Sequence, residues 1–212
     1  MEIMEFLRTR RTYRRFEQRP VAPEILTEAV DAARIASCGA NRQTLKYIIV
    51  QSPETVAAVQ PLVHWAASLP PELGCPKPGE QPVAFIAVLQ DERLPGCSDT
   101  DTGLAMGSLT AAAWGHGVGS CLMGSIDRPA LSKLLGLPEG VKLRYMVALG
   151  YPSHESHLVS MKDGDTKYYL DDARDYCVPK RPMEEVLLKT LYNHNQPKTS
   201  RERHAFPGMF VV

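Results

Sequence analysis

An α+β domain, with a mixed sheet of four or five strands flanked by helices, is the fold class the sequence predicts. Three observations carry it. Short apolar runs at Tyr47–Val50, Val83–Leu89, Val118–Met123 and Arg144–Gly150 have strand length, too short for helices of ordinary size. Between them lie segments whose apolar residues recur at helical spacing. At 212 residues, 44% of them apolar and 23% charged, the chain has ordinary globular composition and can bury one sizeable core.

In chain order, Met4, Phe6 and Leu7 suggest a short first helix. Val21-Ala22-Pro23-Glu24 opens a second, since proline fits the first turn and an acid favours the N-terminal dipole. Ile25, Ala29, Ala32, Ala33 and Ala36 form its small apolar face, and Ser37-Cys38-Gly39-Ala40-Asn41 suits its end. The strand Tyr47–Val50 follows. Ser52-Pro53-Glu54 starts a helix through Val56 and Val59 toward Leu62 and Val63. Five prolines and two glycines between Leu69 and Pro82 argue against regular structure there. VAFIAVL, residues 83–89, reads as a strand buried on both faces.

Thr100-Asp101-Thr102-Gly103 opens the longest helix, running to His116. Its small residues lie nearly all round, as expected of a helix buried in a core or between subunits. VGSCLM leads to Gly124-Ser125-Ile126-Asp127, where Asp127 caps a helix through Leu131, Leu134 and Leu135. RYMVALG, residues 144–150, is the last clear strand. Order then weakens until Pro182 starts a helix through Leu188. Residues 1–192 read as the domain, and 193–212 as a tail whose apolar end, Phe206 to Val212, is expected to pack on its own or a partner subunit.

No apolar run reaches the roughly 18 residues of a membrane span, and the N-terminus lacks the pattern of a secretory signal. A cytoplasmic protein is expected. Five scattered cysteines, Cys38, Cys75, Cys97, Cys121 and Cys177, show no CxxC pair and read as thiols in a reducing compartment. His154 and His157 could share a metal by spacing, but their polar setting after Gly-Tyr-Pro reads as a solvated loop.

Against a balance of 24 basic and 24 acidic residues, Arg8–Phe16 reads RTRRTYRRF, five arginines in nine residues. Arginine holds phosphate in bidentate fashion and keeps its charge, so the run reads as an anion clamp or as a solvated basic face. Zero net charge argues against nucleic acid.

Arg10-Arg11-Thr12-Tyr13-Arg14-Arg15-Phe16 resembles the RRS-x-R-x-F signature of the nitroreductase family, FMN-dependent oxidoreductases. Asn41-Arg42-Gln43 before Tyr47–Val50 is similar to that family's N-x-Q-P-W segment and strand, although Thr44-Leu45 replaces Pro-Trp. The stretch 101–124, ending GHGVGSCLMG, resembles its central helix and flavin-facing strand. Leu134–Pro138, Val147–Pro152 and Val178–Pro182 resemble its later punctuation, so the likeness spans about residues 3 to 190. Larger members insert helices where this chain has its short segment 63–82.

The resemblance implies a mixed, mostly antiparallel sheet in an intertwined homodimer, with FMN at the subunit interface. It implies ping-pong hydride transfer through flavin N5, from NADH or NADPH to a small-molecule acceptor such as a nitroaromatic or quinone. An FMN-binding or flavin-remodelling protein without that activity is the alternative. Arg10 and Thr12 would hold the FMN phosphate with Arg11 nearby, Lys180 and Arg181 would complete that site, and Arg14 would face the flavin N1 and O2 edge. Ser37, Cys38, Gly39 and Asn41 match the segment that lines the flavin from the other subunit, though Asn41 also reads as a turn cap. Cys121, Leu122, Met123 and Gly124 match the stretch beneath the ring. The Cys121 and Met123 side chains read as core packing, with only their main chain implicated. No side-chain acid, base or metal is required, because the cofactor carries the chemistry.

Overall fold

In a computed structural model, which describes residues 2–191, a four-stranded sheet lies between two layers of helix. Its strands are β1 (Leu45–Val50), β2 (Ala84–Asp91), β3 (Gly119–Met123) and β4 (Val141–Gly150), in the order β1-β2-β4-β3. Every neighbouring pair is antiparallel. The central strand β2 is buried almost throughout, and β4 is buried from Met146 to Gly150, which is why residues 83–89 lack polar alternation.

Alternate side chains of the sheet feed two cores. On one face Ala84, Ile86, Val88, Val147 and Leu149 meet α2 (Pro23–Arg34) and α5 (Asp99–Gly115). Small residues at the contact, Ala29 and Ala33 on α2 and Ala105 and Ala113 on α5, let these helices lie close. On the other face Phe85, Ala87, Met146, Ala148, Cys121 and Met123 meet α3 (Pro53–Val59) and α6 (Arg128–Leu134). Side-chain oxygens of Ser52, Ser98 and Asp127 cap α3, α5 and α6 by accepting the N–H groups of Thr55, Asp101 and Ala130.

The structure departs from the sequence reading in several places. The main sheet is purely antiparallel. The mixed pairing belongs to a second sheet after residue 150, where no further strand is legible in the sequence: β5 (Ser156–Ser160), β6 (Tyr169–Leu170) and β7 (Tyr176–Lys180), with β5 parallel and β6 antiparallel to β7. Strand β4 begins at Val141, three residues earlier than expected. Helix α3 gives way to a 3-10 turn at Gln60–Leu62, and Val63 bridges to Ile126. One helical turn, α4 (Pro71–Gly74), interrupts the proline-rich segment. The helix expected from Pro182 is one exposed turn, α7 (Met183–Val186). The first helix, α1 (Ile3–Thr9), forms as expected but buries none of its residues. The tail from 193 lies outside the described residues. Among the described residues no helix is long and apolar enough to cross a membrane.

Candidate functional site around the arginine run

The arginine run leaves α1 and crosses the outer edge of β3. The Tyr13 N–H donates to the Ser120 carbonyl at 2.9 Å, and Thr12 and Ser120 form a parallel bridge. Further along, the Phe16 N–H donates to Glu80 O, the Glu17 N–H to Tyr151 O and the Ser153 N–H to Arg15 O. Two glycines make this crossing possible. Gly119 and Gly150 face each other across β3 and β4. A Cβ on Gly119 would lie 2.8 Å from the Tyr13 ring and 2.7 Å from Pro152, and one on Gly150 would lie 2.9 Å from the Phe16 ring. Tyr13 and Phe16, both buried, occupy the space the missing side chains leave.

These anchors give the guanidinium groups different partners. Arg10 Nη1 donates to Thr110 Oγ1 on α5 at 2.9 Å. Arg14 lies over the Tyr168 and Tyr176 rings, 4.6 and 4.8 Å from their centroids, a cation–π seat. Arg15 turns into the protein and donates from Nη2 to the Arg174 carbonyl at 2.5 Å. Among the described residues, no ion pair engages Arg8, Arg10, Arg11, Arg14 or Arg15 with a carboxylate. Buried donors Arg10 Nε, Arg11 Nε, Arg14 Nε and Arg15 Nη1 have no acceptor. Burial holds the Arg11 guanidinium below its usual pKa; Tyr13 opposes this shift and the like charge of Arg10 adds to it. Clustered cations with unsatisfied donors suit a polyanionic group such as a phosphate.

Strand β3 supplies the neighbouring surface. Cys121 and Met123 are buried on the α3/α6 face, as the sequence suggests, while Leu122 is exposed. Burial raises the Cys121 thiol pKa, with Arg14 near enough to oppose the shift. Because the Ser120 carbonyl faces outward, strand alternation turns the Leu122 main-chain groups to the same open edge. Gly124 follows, its carbonyl accepting from Arg128 Nη2 at 3.0 Å.

Within one chain the remaining candidates lie elsewhere. The Gly39 N–H donates to Asp101 Oδ1 at 2.8 Å, holding that carboxyl below its usual pKa. This fixes 37–41 to the first turn of α5, whereas Arg10 meets Thr110, nine residues or about 14 Å further along the helix. Gly39–Asn41 forms a 3-10 turn with Ala40 and Asn41 at φ of 50° and 52°. Ser37 and Cys38 line a cleft of about 270 Å³ with Gln43, Tyr47 and Asp101; the arginine run does not line it. Lys180, at the end of β7, is exposed, and Arg181 donates to Glu185 Oε2 at 2.8 Å in a solvated ion pair.

His154 is a correction. It is not in a solvated loop but buried, 8% exposed, with both ring nitrogens engaged. Nε2 accepts the Arg14 N–H at 3.0 Å, and Nδ1 lies 2.8 Å from the Glu155 carbonyl. Burial lowers its pKa to about 4. His157 instead converges with Asp171 and Asp175, their ligand atoms within 4.8 Å of one another. Both carboxylates already accept backbone N–H groups, Asp171 from Ala173 and Asp175, and Asp175 from Glu155. His154, Tyr168, Tyr176 and Thr110 all act on the arginines. None is legible from sequence, since a lone polar residue far along the chain carries no periodic signal.

A sequence profile of the nitroreductase family matches residues 7–151. A relative from Methanothermobacter thermautotrophicus, provisionally named NADH dehydrogenase/NAD(P)H nitroreductase, is 26% identical over 171 residues, covering 78% of this chain and 85% of the relative. Solved structures share the fold. An FMN-dependent nitroreductase from Clostridium difficile R20291 aligns with a TM-score of 0.58 at 18% identity, over 80% of this chain and 98% of its own. NfrA2 from B. megaterium aligns with a TM-score of 0.61 at 22% identity, over 92% of this chain and 77% of its own.

Proposed function

The chain belongs to the nitroreductase family, and on that premise we propose that it is an FMN-dependent NAD(P)H oxidoreductase acting on a nitroaromatic, quinone or similar conjugated acceptor. The observation that carries this reading is the uncompensated arginine cluster, with the orphaned Nε donors of Arg10, Arg11 and Arg14, beside an open strand edge. Arg10, Arg11 and Thr12 would hold the FMN phosphate, and Arg14 would face the electron-rich end of the ring. The Leu122 and Gly124 main chain would lie beneath it. Lys180 and Arg181 would join the phosphate site once Arg181 exchanges Glu185 for the ligand. FMN would supply reversible two-electron hydride exchange between the nicotinamide and the acceptor.

The protein's part is placement and electrostatics. A guanidinium fixed beside the ring favours extra negative charge there, and water exclusion strengthens that effect. Close stacking of donor and acceptor in turn needs an open face. The short segment 63–82, holding one helical turn, supports such a face.

We also propose that the working form is a homodimer. Helix α5 carries Gly103 and Gly107 in its interior, one turn apart, and a Cβ on either would meet no atom within 4 Å. Glycine inside a helix costs about 0.5–1 kcal/mol against alanine, so their use here is unexplained within one chain and suits close approach by a second copy. Exposed Leu104 and Leu122, with Ile3, Met4 and Leu7 of α1, supply apolar area around that stripe. In this arrangement Ser37, Cys38, Gly39 and Asn41 come to the flavin from the partner.

Anaerobic addition of NADH or NADPH to FMN-loaded protein tests the reading. Bleaching of the flavin absorbance, restored by a quinone or nitroaromatic, is the expected result. Flavin that stays oxidised with both donors would contradict it.

A further inference from the structure

The arginine run is tied down by main-chain carbonyls at Tyr13, to Ser120, and at Phe16, to Glu80. Between these ties the Arg14 N–H faces no carbonyl. Its acceptor is a side chain 140 residues away, His154 Nε2 at 3.0 Å. The other nitrogen explains why this ring can accept. Nδ1 faces the Glu155 carbonyl at 2.8 Å, and a carbonyl can only accept, so the proton sits on Nδ1 and Nε2 presents its lone pair.

The ring is held on two sides, with centroids 5.4 Å from Tyr13 and 5.0 Å from Tyr176. Tyr13 is itself stacked on Trp114 at 5.2 Å. Tyr176 also lies beneath the Arg14 guanidinium. One imidazole thus contacts both ends of Arg14, its main chain directly and its side chain through the shared Tyr176 ring.

We propose that His154 is a positioning residue for the anion site, fixing the course of Tyr13–Arg15 so that Arg10, Arg11 and Arg14 converge on one ligand. The proposal rests on the FMN reading above. Its physical basis is that a buried N–H without an acceptor is costly, so the segment would shift to find another partner without this nitrogen. Hydrogen bonds depend steeply on distance and angle, so such a shift weakens every contact the arginines make with the anion.

Two substitutions separate the acceptor from the ring. His154→Phe keeps an aromatic ring between Tyr13 and Tyr176 but removes the acceptor, whereas His154→Gln removes the ring and keeps a carbonyl oxygen near the Nε2 position. FMN dissociation constants from flavin fluorescence titration should weaken about tenfold or more for His154→Phe and stay within about threefold of wild type for His154→Gln. Should His154→Phe fail to fold, judged by circular dichroism, His154→Gln decides alone: affinity within about threefold supports the proposal and a tenfold loss overturns it. Folded His154→Phe with wild-type affinity, or equal loss in both variants, overturns it too. Wild-type protein that binds no FMN would overturn the site reading and this proposal together, whereas wild-type binding with an indifferent His154→Phe overturns the proposal alone.

Discussion

Arg15 and Arg11 are four residues apart in a run of one composition, yet they face different tasks. Arg15 is buried, 5% exposed, and its guanidinium donates to the Arg174 carbonyl, while Arg174 pairs with Glu80 at 3.0 Å. Arg15→Met should therefore lower folding stability by about 2 kcal/mol, measured by urea denaturation. Arg11→Met should leave stability nearly unchanged and weaken FMN binding. His154 gives the residue scale its pH dependence. Around it stand Arg14, Arg15 and Tyr13 from the run, Glu155 beside it, Tyr176 at the start of β7 and Asp175 just before it. Burial, the largest influence, lowers its pKa from 6.5 to about 4, so the unfolded chain takes up a proton between those values and the folded chain does not. Stability supplied by the neutral ring is full above pH 6.5 and is lost as pH falls toward 4. The loss is on the order of 3 kcal/mol. Denaturation at stepped pH should show this slope in wild type and a shallower one in His154→Gln; identical slopes would contradict it.

At the scale of elements, the crossing of the run over β3 depends on Gly119 and Gly150. Phe16 is wholly buried and cannot yield to a Cβ placed 2.9 Å from its ring. Gly150→Ala should cost about 1–3 kcal/mol and weaken FMN binding by displacing the arginines; an unchanged melting temperature would argue against this packing. The sequence makes some elements plain and hides others for physical reasons. Strand β2 is legible because both faces are buried, and α3 and α6 because Ser52 and Asp127 act as caps before proline. Strand direction is not local information, so the antiparallel order of the main sheet cannot be read from runs of apolar residues. The second sheet is hidden because its strands are two to five residues long and β5 and β6 bury none of their residues, with His157 and Leu158 outward. Its parallel pair joins segments some twenty residues apart. The arginine run is legible from its charge density and its likeness to a family signature, whereas its partners Thr110 on α5, His154 in the loop after β4 and Tyr176 on β7 are brought together only by folding.

For the whole molecule, zero formal charge conceals a local cationic site, and the open glycine stripe on α5 conceals the proposed contact with a second copy. Gly107→Leu adds bulk where the single chain has free space, so the fold should survive. Sedimentation equilibrium should show a dimer in wild type and a monomer in this variant, with much weaker FMN binding, because Ser37–Asn41 of the partner would be lost from the site. A dimer that persists with full FMN content would contradict that interface. The central claim, that the guanidinium cluster holds the phosphate of FMN, is tested most directly by comparing FMN with riboflavin in equilibrium titrations of wild type and Arg10→Ala/Arg11→Ala. The two ligands share the ring and differ in the phosphate. Wild type should bind FMN at least about a hundredfold more tightly than riboflavin, and the double variant should lose most of that preference. Equal affinity of wild type for the two ligands, or a preference that survives in the double variant, would contradict the account.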